Sequence, residues 1–197
     1  MVSAFPAEGK TTTGANLANF LSSQGHKVIL VDADLRNPGL TMALNRTIET
    51  GLVDILQDGF NWRQAIHTDA GTGLDVIANK RGRVVHTSEL IASDEMRELL
   101  QTLKEHYEFI VLDLPPLAPV IDARSALPLI DGFVLITKWG QTNITDLERL
   151  LSADPRLREK CYGAVMNFFD ARKARSYGYY AGDYYYGYAY KRYYSDR

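Results

Sequence analysis

The segment Ala4-Phe-Pro-Ala-Glu-Gly-Lys-Thr11, near the start of this 197-residue chain, is the most informative about its fold. Directly after it, the sequence predicts a helix from Lys10 to about Gln24, closed by Gly25. A helix that begins here presents free backbone N–H groups and the positive end of its dipole to an anion. The stretch therefore predicts a phosphate-binding loop made of Ala7, Glu8, Gly9, Lys10, Thr11 and Thr12.

The loop follows most of the pattern G-x-x-x-x-G-K-[ST], which binds nucleotide phosphates, but Ala4 stands where the first Gly is expected. In this pattern Lys10 reaches the β and γ phosphates, and the Thr11 hydroxyl is a ligand of Mg²⁺. Because the match is incomplete, other segments have to support the interpretation.

Two apolar runs that end in carboxylates supply that support. Val28-Ile-Leu-Val-Asp32-Ala-Asp34-Leu-Arg36 is the first, and Phe109-Ile-Val-Leu-Asp113-Leu-Pro-Pro116 is the second. Ligands of open parallel sheets bind beyond the carboxyl ends of the strands, so we expect all three carboxylates near the phosphate loop. Such a set of oxygens indicates a site for ATP and Mg²⁺. The alternative is that each aspartate only caps a turn.

Apolar runs alternate with helical patterns along the chain, which predicts an α/β fold with a mostly parallel sheet and helices on both faces. The expected strands cover residues 28–31, 74–78, 109–112, 133–137 and 163–167. The clearest helix is expected from Asp94 to His106, with Asp94 as its N-cap.

The composition excludes several classes of protein. The formal net charge is −2 and no charge pattern predicts binding to nucleic acid. Cys161 is the one cysteine, so an intrachain disulfide and a cysteine metal cluster are excluded. No run approaches the ~20 apolar residues that span a bilayer, and the start of the sequence is not a signal peptide. A cytoplasmic protein is expected.

The C-terminal segment is unlike the rest. Residues 176–197 contain no Val, Ile, Leu or Met and are rich in tyrosine and glycine, so we expect a flexible tail over residues 171–197. This tail carries a net charge of +4, which leaves −6 on residues 1–170. Ten tyrosines are its candidate phosphate acceptors: Tyr177, Tyr179, Tyr180, Tyr184, Tyr185, Tyr186, Tyr188, Tyr190, Tyr193 and Tyr194.

The phosphate loop, the strand ending Asp-Ala-Asp-Leu-Arg, the strand ending Asp-Leu-Pro-Pro and the tyrosine cluster, in that order, resemble the cytoplasmic domain of bacterial tyrosine kinases. These are autokinases of capsule and exopolysaccharide export, with a P-loop NTPase-like fold. The resemblance implies that Lys10 binds phosphate, Thr11 the metal, and that Asp32 and Asp113 orient Mg²⁺ and its waters. It implies that Asp32 or Asp34 accepts the tyrosine proton and that Arg36 orients the reactants.

The family also has a longer strand before the phosphate loop, preceded by a helix with an E-x-x-R-x-x-R motif. This sequence is expected to lack both, which leaves a central position of the sheet unfilled. The resemblance implies homo-oligomers in which a tail enters a neighbour's active site. Further implied partners are a membrane-anchored polysaccharide co-polymerase or activator segment, which places the chain at the inner face of the membrane, and a protein-tyrosine phosphatase.

Three functions remain open on this reading. The first is an ATP-dependent tyrosine autokinase acting in trans on the tail. The second is a catalytically impaired relative that serves as phosphate acceptor or binding module. The third is a partitioning-type P-loop ATPase, although those proteins often carry an extra lysine where this chain has Phe5, and they lack a tyrosine tail.

Overall fold

Seven strands and nine α-helices are found in the part of the chain that the computed structural model describes, residues 1–44, 47–80, 82 and 84–176. The strands are β1 Val2–Ser3, β2 Val28–Asp32, β3 Ile66–Thr68, β4 Asp75–Ile77, β5 Phe109–Asp113, β6 Phe133–Lys138 and β7 Cys161–Asn167. The helices are α1 Lys10–Ser23, α2 Gly39–Leu44, α3 Leu52–Asp58, α4 Thr87–Ala92, α5 Asp94–Lys104, α6 Asp122–Ser125, α7 Ile144–Ser152, α8 Pro155–Lys160 and α9 Ala171–Ser176.

The strands form two ladders, β3-β4-β2-β5 and β1-β6-β7, in which every pairing is parallel except that of β3 with β4. Two hydrogen bonds join the ladders at Met1. Its carbonyl oxygen accepts from the N–H of Leu114 at 3.0 Å, and its α-amino group donates to the carbonyl oxygen of Leu112 at 2.6 Å. The mostly parallel α/β sheet that the sequence predicts is therefore confirmed.

The central position between β5 and β6 holds the two-residue strand β1. Val2 pairs with Leu135 and Ser3 with Ile136, and both are buried. The expectation of an unfilled position is wrong near the phosphate loop, because β1 pairs with β6 and Met1, directly before it, bonds to Leu112 and Leu114 at the end of β5. Beyond Met1, a cavity of about 430 Å³ separates the first parts of β5 and β6.

Helices cover both faces of the sheet. On one face, Val28 and Leu30 of β2 pack with Ala18 of α1. On the other face, the alternate residues Ile29 and Val31 pack in the larger core, to which α3, α4, α5, α6 and α8 also contribute. This alternation follows from the two-residue period of a strand, and it lets both sides of β2 be buried.

Helix α5 departs slightly from its prediction. It begins at Asp94 as expected, but the cap is Ser93, whose hydroxyl accepts the N–H of Met96 at 3.2 Å. Its apolar stripe of Met96, Leu99, Leu100 and Leu103 is buried as the sequence pattern predicts. None of the helices in the described residues is long and apolar enough to cross a bilayer.

The chain divides into two compact units, Met1–Asn167 and Phe168–Arg197. Helix α9 belongs to the second unit and lies at the start of the predicted tail. The ten candidate acceptor tyrosines all lie outside the described residues, so the flexible tail stays a prediction.

Candidate nucleotide site

The phosphate loop leads from β1 into α1 through two residues with positive φ. Ala7 has φ 61° and Gly9 has φ 85°. Gly9 lacks a Cβ and tolerates this conformation, whereas Ala7 is strained by it. Gly9 is the N-cap of α1, so the first N–H groups of the helix have no partner inside the helix and are available to an anion.

Glu8 is engaged inside the protein. Its carboxylate accepts the N–H of Phe5 at 2.8 Å and the hydroxyl of Thr142, while its carbonyl oxygen accepts from the Asn167 side chain at 3.0 Å. The side chain thus ties the phosphate loop to the segment after β6, and Asn167 ties it to the end of β7. Glu8 keeps its backbone N–H as the group that it can offer to a phosphate.

Lys10 and Thr11 lie directly against two of the three predicted carboxylates. The Lys10 ammonium is 2.9 Å from Asp34 and 3.2 Å from Asp113, and the Thr11 hydroxyl donates to Asp113 at 2.6 Å. Lys10 and both aspartates are buried. Because buried charges require partners, these contacts hold the ammonium group at the mouth of the phosphate loop.

Asp32 lies deeper than Asp34. It is completely buried, with one carboxylate oxygen accepting the N–H of Thr41 at 3.2 Å. The other oxygen, Oδ1, is buried without a hydrogen-bond partner among the described residues. Burial raises the pKa of Asp32 to about 7, and the neighbouring Asp113 charge adds to the effect.

The oxygen set fits a magnesium ion bound together with nucleotide. Mg²⁺ prefers hard oxygen ligands and usually takes one or two carboxylates together with substrate phosphates. The Thr11 hydroxyl, Asp113 and the unpartnered Oδ1 of Asp32 are such oxygens. No group of three or more His, Cys, Asp or Glu side chains within the described ranges is arranged to hold a metal by itself. Substrate phosphates and waters are the further ligands that a magnesium site of this kind usually uses.

A cavity of about 320 Å³ opens over this site. Ala7, Glu8, Gly9, Lys10 and Thr11 line it, and so do Asp34, Arg36 and a rim of Pro115, Pro116 and Pro119. Thr12 is exposed and does not line the cavity, unlike the other predicted loop residues. Asp34 lines the cavity, whereas Asp32 and Asp113 are fully buried and do not line it.

Several polar residues of the site were not predicted from the sequence. Thr41 and Asn79 hold the end of β2, because Asn79 donates to the Asp32 carbonyl oxygen at 2.6 Å and bonds with Thr41. Asp122 holds Arg36. Asn79 directly follows an apolar run, which is a weak signal for a residue at a strand end, but nothing in the sequence marks Thr41.

Comparisons with known proteins agree with this geometry. A family model described as an AAA domain matches residues 7–161. The tyrosine-protein kinase YwqD of Bacillus subtilis is 35% identical over 181 residues, which are 91% of this chain and 76% of YwqD. The succinoglycan biosynthesis transport protein ExoP of Rhizobium meliloti is 35% identical over 98% of this chain, which spans only 25% of ExoP. The chain therefore belongs to the AAA-domain family, as a member of its bacterial tyrosine kinases.

Solved structures place the fold in the same class. The kinase domain of VpsO superposes with a TM-score of 0.79 at 26% identity, covering 86% of this chain and 83% of that domain. The septum site-determining protein MinD of Pyrococcus horikoshii, solved with Mg-ADP, has a TM-score of 0.70 at 24% identity over 89% of this chain and 74% of its own. This second likeness shows the fold alone. The P-loop NTPase-like fold is confirmed.

Proposed function

We propose that this chain is the catalytic domain of an ATP- and Mg²⁺-dependent tyrosine kinase that phosphorylates the C-terminal tyrosines of a neighbouring copy. The observation that carries the proposal is the contact of Lys10 with Asp34 and Asp113 at the opening of the phosphate loop. Together with the Thr11 hydroxyl, which donates to the same Asp113, this contact brings a phosphate-binding cation, a metal-binding hydroxyl and the proton acceptor Asp34 to one cavity. Membership of the kinase family supports the same function.

Different residues of the chain would have different roles in phosphoryl transfer. The tyrosine oxygen forms a bond to the γ-phosphorus, the bond from that phosphorus to the β-phosphate oxygen breaks, and ADP leaves. The N–H groups at the start of α1 and the Lys10 ammonium orient and neutralise the phosphates. Thr11, Asp32 and Asp113 would hold Mg²⁺, which supplies charge neutralisation when bound.

Asp34 is the better candidate of the two for accepting the tyrosine proton. A free tyrosine has a pKa of about 10, so its hydroxyl needs a base as the new bond forms. Asp34 lines the cavity, whereas Asp32 is fully buried and bonded to Thr41. A phenol entering the cavity would therefore meet Asp34 before Asp32.

Transfer in trans also determines the proposed partners. A second copy supplies the tyrosine tail, and a membrane-anchored co-polymerase or activator segment of exopolysaccharide export holds the copies at the inner face of the membrane. The name of ExoP, a biosynthesis transport protein of which this chain spans a quarter, supports such an assembly. A phosphatase is needed to return the tyrosines to their acceptor state.

The test mixes two variants of the chain, neither of which should phosphorylate itself. Lys10→Met keeps the tail tyrosines, while a second variant keeps Lys10 but has all ten tail tyrosines replaced by phenylalanine. With Mg-ATP, neither variant alone should gain phosphotyrosine, and the mixture should gain it on the Lys10→Met chain. Phosphotyrosine on isolated Lys10→Met would show that the phosphate loop is not the catalytic site. An active parent with a silent mixture would contradict transfer in trans.

A matched control is needed because Lys10 is buried between two carboxylates, so its loss also costs stability. Lys104→Met removes a half-exposed lysine on α5 that pairs with Asp131 at 3.8 Å and does not line the nucleotide cavity. We expect Lys104→Met to keep full activity. Circular dichroism of both variants at the assay temperature shows whether the chain is folded, and a parent that forms no phosphotyrosine would favour the binding-module alternative.

A further inference from the structure

The Arg36 side chain is held from one side by a carboxylate that is distant in sequence. Its Nε donates to Oδ2 of Asp122 at 2.8 Å, and its Nη2 donates to Oδ1 at 3.1 Å. This two-bond arrangement fixes the plane of the guanidinium group as well as its position. The Arg36 side chain is nevertheless half exposed and lines the same cavity as Lys10 and Thr11.

The Asp122 carboxylate is buried and accepts a hydrogen bond from another residue besides Arg36. It is buried at the first turn of α6, and its Oδ2 also accepts the hydroxyl of Thr87, at the start of α4, at 2.6 Å. Burial alone would raise the pKa of Asp122, but the bonds from Arg36 and Thr87 lower it below its usual range. The carboxylate therefore stays charged and connects α4, α6 and the segment after β2.

That segment also carries Asp34, two residues before Arg36. With one edge of the guanidinium bound to Asp122, its remaining N–H groups are the ones left for a ligand in the cavity. An arginine is always charged and presents several donors in a plane, a geometry that matches phosphate oxygens. Held in this way, it loses little conformational entropy when it binds an anion.

We propose that Asp122, assisted by Thr87, is a positioning residue that holds Arg36 ready to contact the phosphoryl group during its transfer. The inference rests on the proposed function, because it requires a phosphoryl transfer. Arg36 would contact the phosphoryl group while it is being transferred, and would not contribute to the binding of the nucleotide before the transfer. It predicts that Asp122 acts on the transition state through Arg36, with little effect on the binding of Mg-ADP.

The test measures affinity for Mg-ADP with and without aluminium fluoride, which imitates the transferring phosphoryl group. In the parent chain, fluoride and aluminium should tighten the binding of ADP. Asp122→Asn should lose about tenfold of this enhancement, because a displaced donor stabilises the transferring group less, and should bind Mg-ADP alone as the parent does. Equal enhancement in the parent and in Asp122→Asn would overturn the inference.

A double-mutant cycle separates positioning from a general loss of structure. Arg36→Lys should lose the enhancement as well, and Asp122→Asn added to Arg36→Lys should lose nothing more. Additive losses would show that Asp122 does not act through Arg36. Thr87→Val, which removes one bond to the carboxylate and keeps the ion pair, should show a smaller loss in the same direction and guards against a poorly folded Asp122→Asn.

Asp154→Asn is the matched control. Asp154 also accepts from an arginine through both its oxygens, but it caps α8 and does not line the cavity. We expect it to keep the enhancement of the parent. The binding measurement needs no tyrosine, so a parent that forms no phosphotyrosine contradicts the proposed kinase, whereas a parent whose ADP binding ignores aluminium fluoride contradicts the role of Arg36.

Discussion

Strands β2 and β7 are both apolar runs in the sequence, yet they differ in how deeply the folded chain buries them. All five residues of β2 are buried, and β2 has a hydrogen-bonded strand on each side. β7 pairs with β6 alone among the described residues, and Tyr162, Val165 and Met166 are 71%, 43% and 58% exposed. The carboxylates of the site extend from the covered half of the sheet, where neighbours on every side hold them in place.

An apolar run therefore predicts a strand, but it does not predict how much of that strand will be buried. Burial depends on the strand's place in the sheet order and on which helices lie over its faces. A buried strand restricts the side chains that follow it, because its backbone is held on both edges. We therefore expect an edge strand such as β7 to tolerate amino-acid substitutions better than β2 does.

Truncating an apolar side chain in each strand should give the largest difference in the free energy of unfolding. Ile29→Ala in β2 removes a fully buried side chain and should lower the free energy of unfolding by about 2–5 kcal/mol. Val165→Ala in β7 should cost less than about 1 kcal/mol, since that residue is 43% exposed and already keeps much of its surface in solvent. Urea denaturation of both variants measures the difference, and equal losses would show that β7 is covered in solution.

Two glycines provide the next comparison. A Cβ on Gly51 would lie 2.6 Å from the carbonyl oxygen of Ala78 and 2.7 Å from the Cα of Asn79, which are backbone atoms. Gly51→Ala should therefore cost about 1–3 kcal/mol. A Cβ on Gly132 would instead meet the ring of exposed Tyr162 at 2.3 Å, and that ring can turn away into solvent.

Gly132→Ala should thus be nearly neutral, and thermal unfolding of the two variants tests the contrast. If Gly132→Ala destabilises the chain as much as Gly51→Ala, the Tyr162 ring is fixed in place and the β6–β7 half of the sheet is better packed than its exposure indicates.

A pH effect is expected at the junction of the two halves of the sheet. Burial lowers the pKa of the Met1 α-amino group from 8.0 to about 6. Between pH 6 and 8 the unfolded amine holds a proton that the folded one lacks, so this amine alone should make stability rise with pH by about 1–2 kcal/mol across the window. Asp32, with its pKa raised to about 7, acts in the opposite direction, because its folded form holds a proton that the unfolded form lacks. Denaturation in urea at several pH values measures the slope.

A short apolar extension before Met1 replaces the buried amine with a peptide N–H and should remove the amine's contribution, which leaves stability falling with pH through the titration of Asp32. It should also raise stability, because it can fill the cavity between β5 and β6. A polar extension of equal length should remove the contribution of the amine without the gain in stability. The same pH dependence in the parent and in both extended chains would contradict the role of the Met1 amine.

The smallest effect is expected at two helix caps. Ser93→Ala removes the cap of α5, which buries four apolar side chains, and should cost about 1 kcal/mol. Asn143→Ala removes the cap of α7, which has no fully buried residue, and should cost about 0.5 kcal/mol because that helix can fray. Hydrogen exchange of the two first turns distinguishes the effects, and slower exchange at α7 would contradict this ranking.

The local features of this protein could be predicted from the amino-acid sequence. The bounds of α1, the runs of β2 and β5, and the set Lys10, Thr11, Asp34 and Asp113 were all predictable. Each is encoded within a few neighbouring residues, by a period of two or 3.6, by glycine at a turn, or by a carboxylate that ends a parallel strand. Parallel strand ends meet at one edge of a sheet, so these separate signals could be combined without coordinates.

Features that depend on contacts between residues far apart in the sequence were visible only in the folded structure. The contact of Arg36 with Asp122 joins residues 86 positions apart, and no local pattern encodes how the loop before α6 returns to the end of β2. The same holds for the two-residue strand β1, the antiparallel β3, the burial of Asp32 below Asp34 and the exposure of β7. These features follow from which segments become neighbours when the apolar faces of the sheet are covered, and that depends on the whole chain at once.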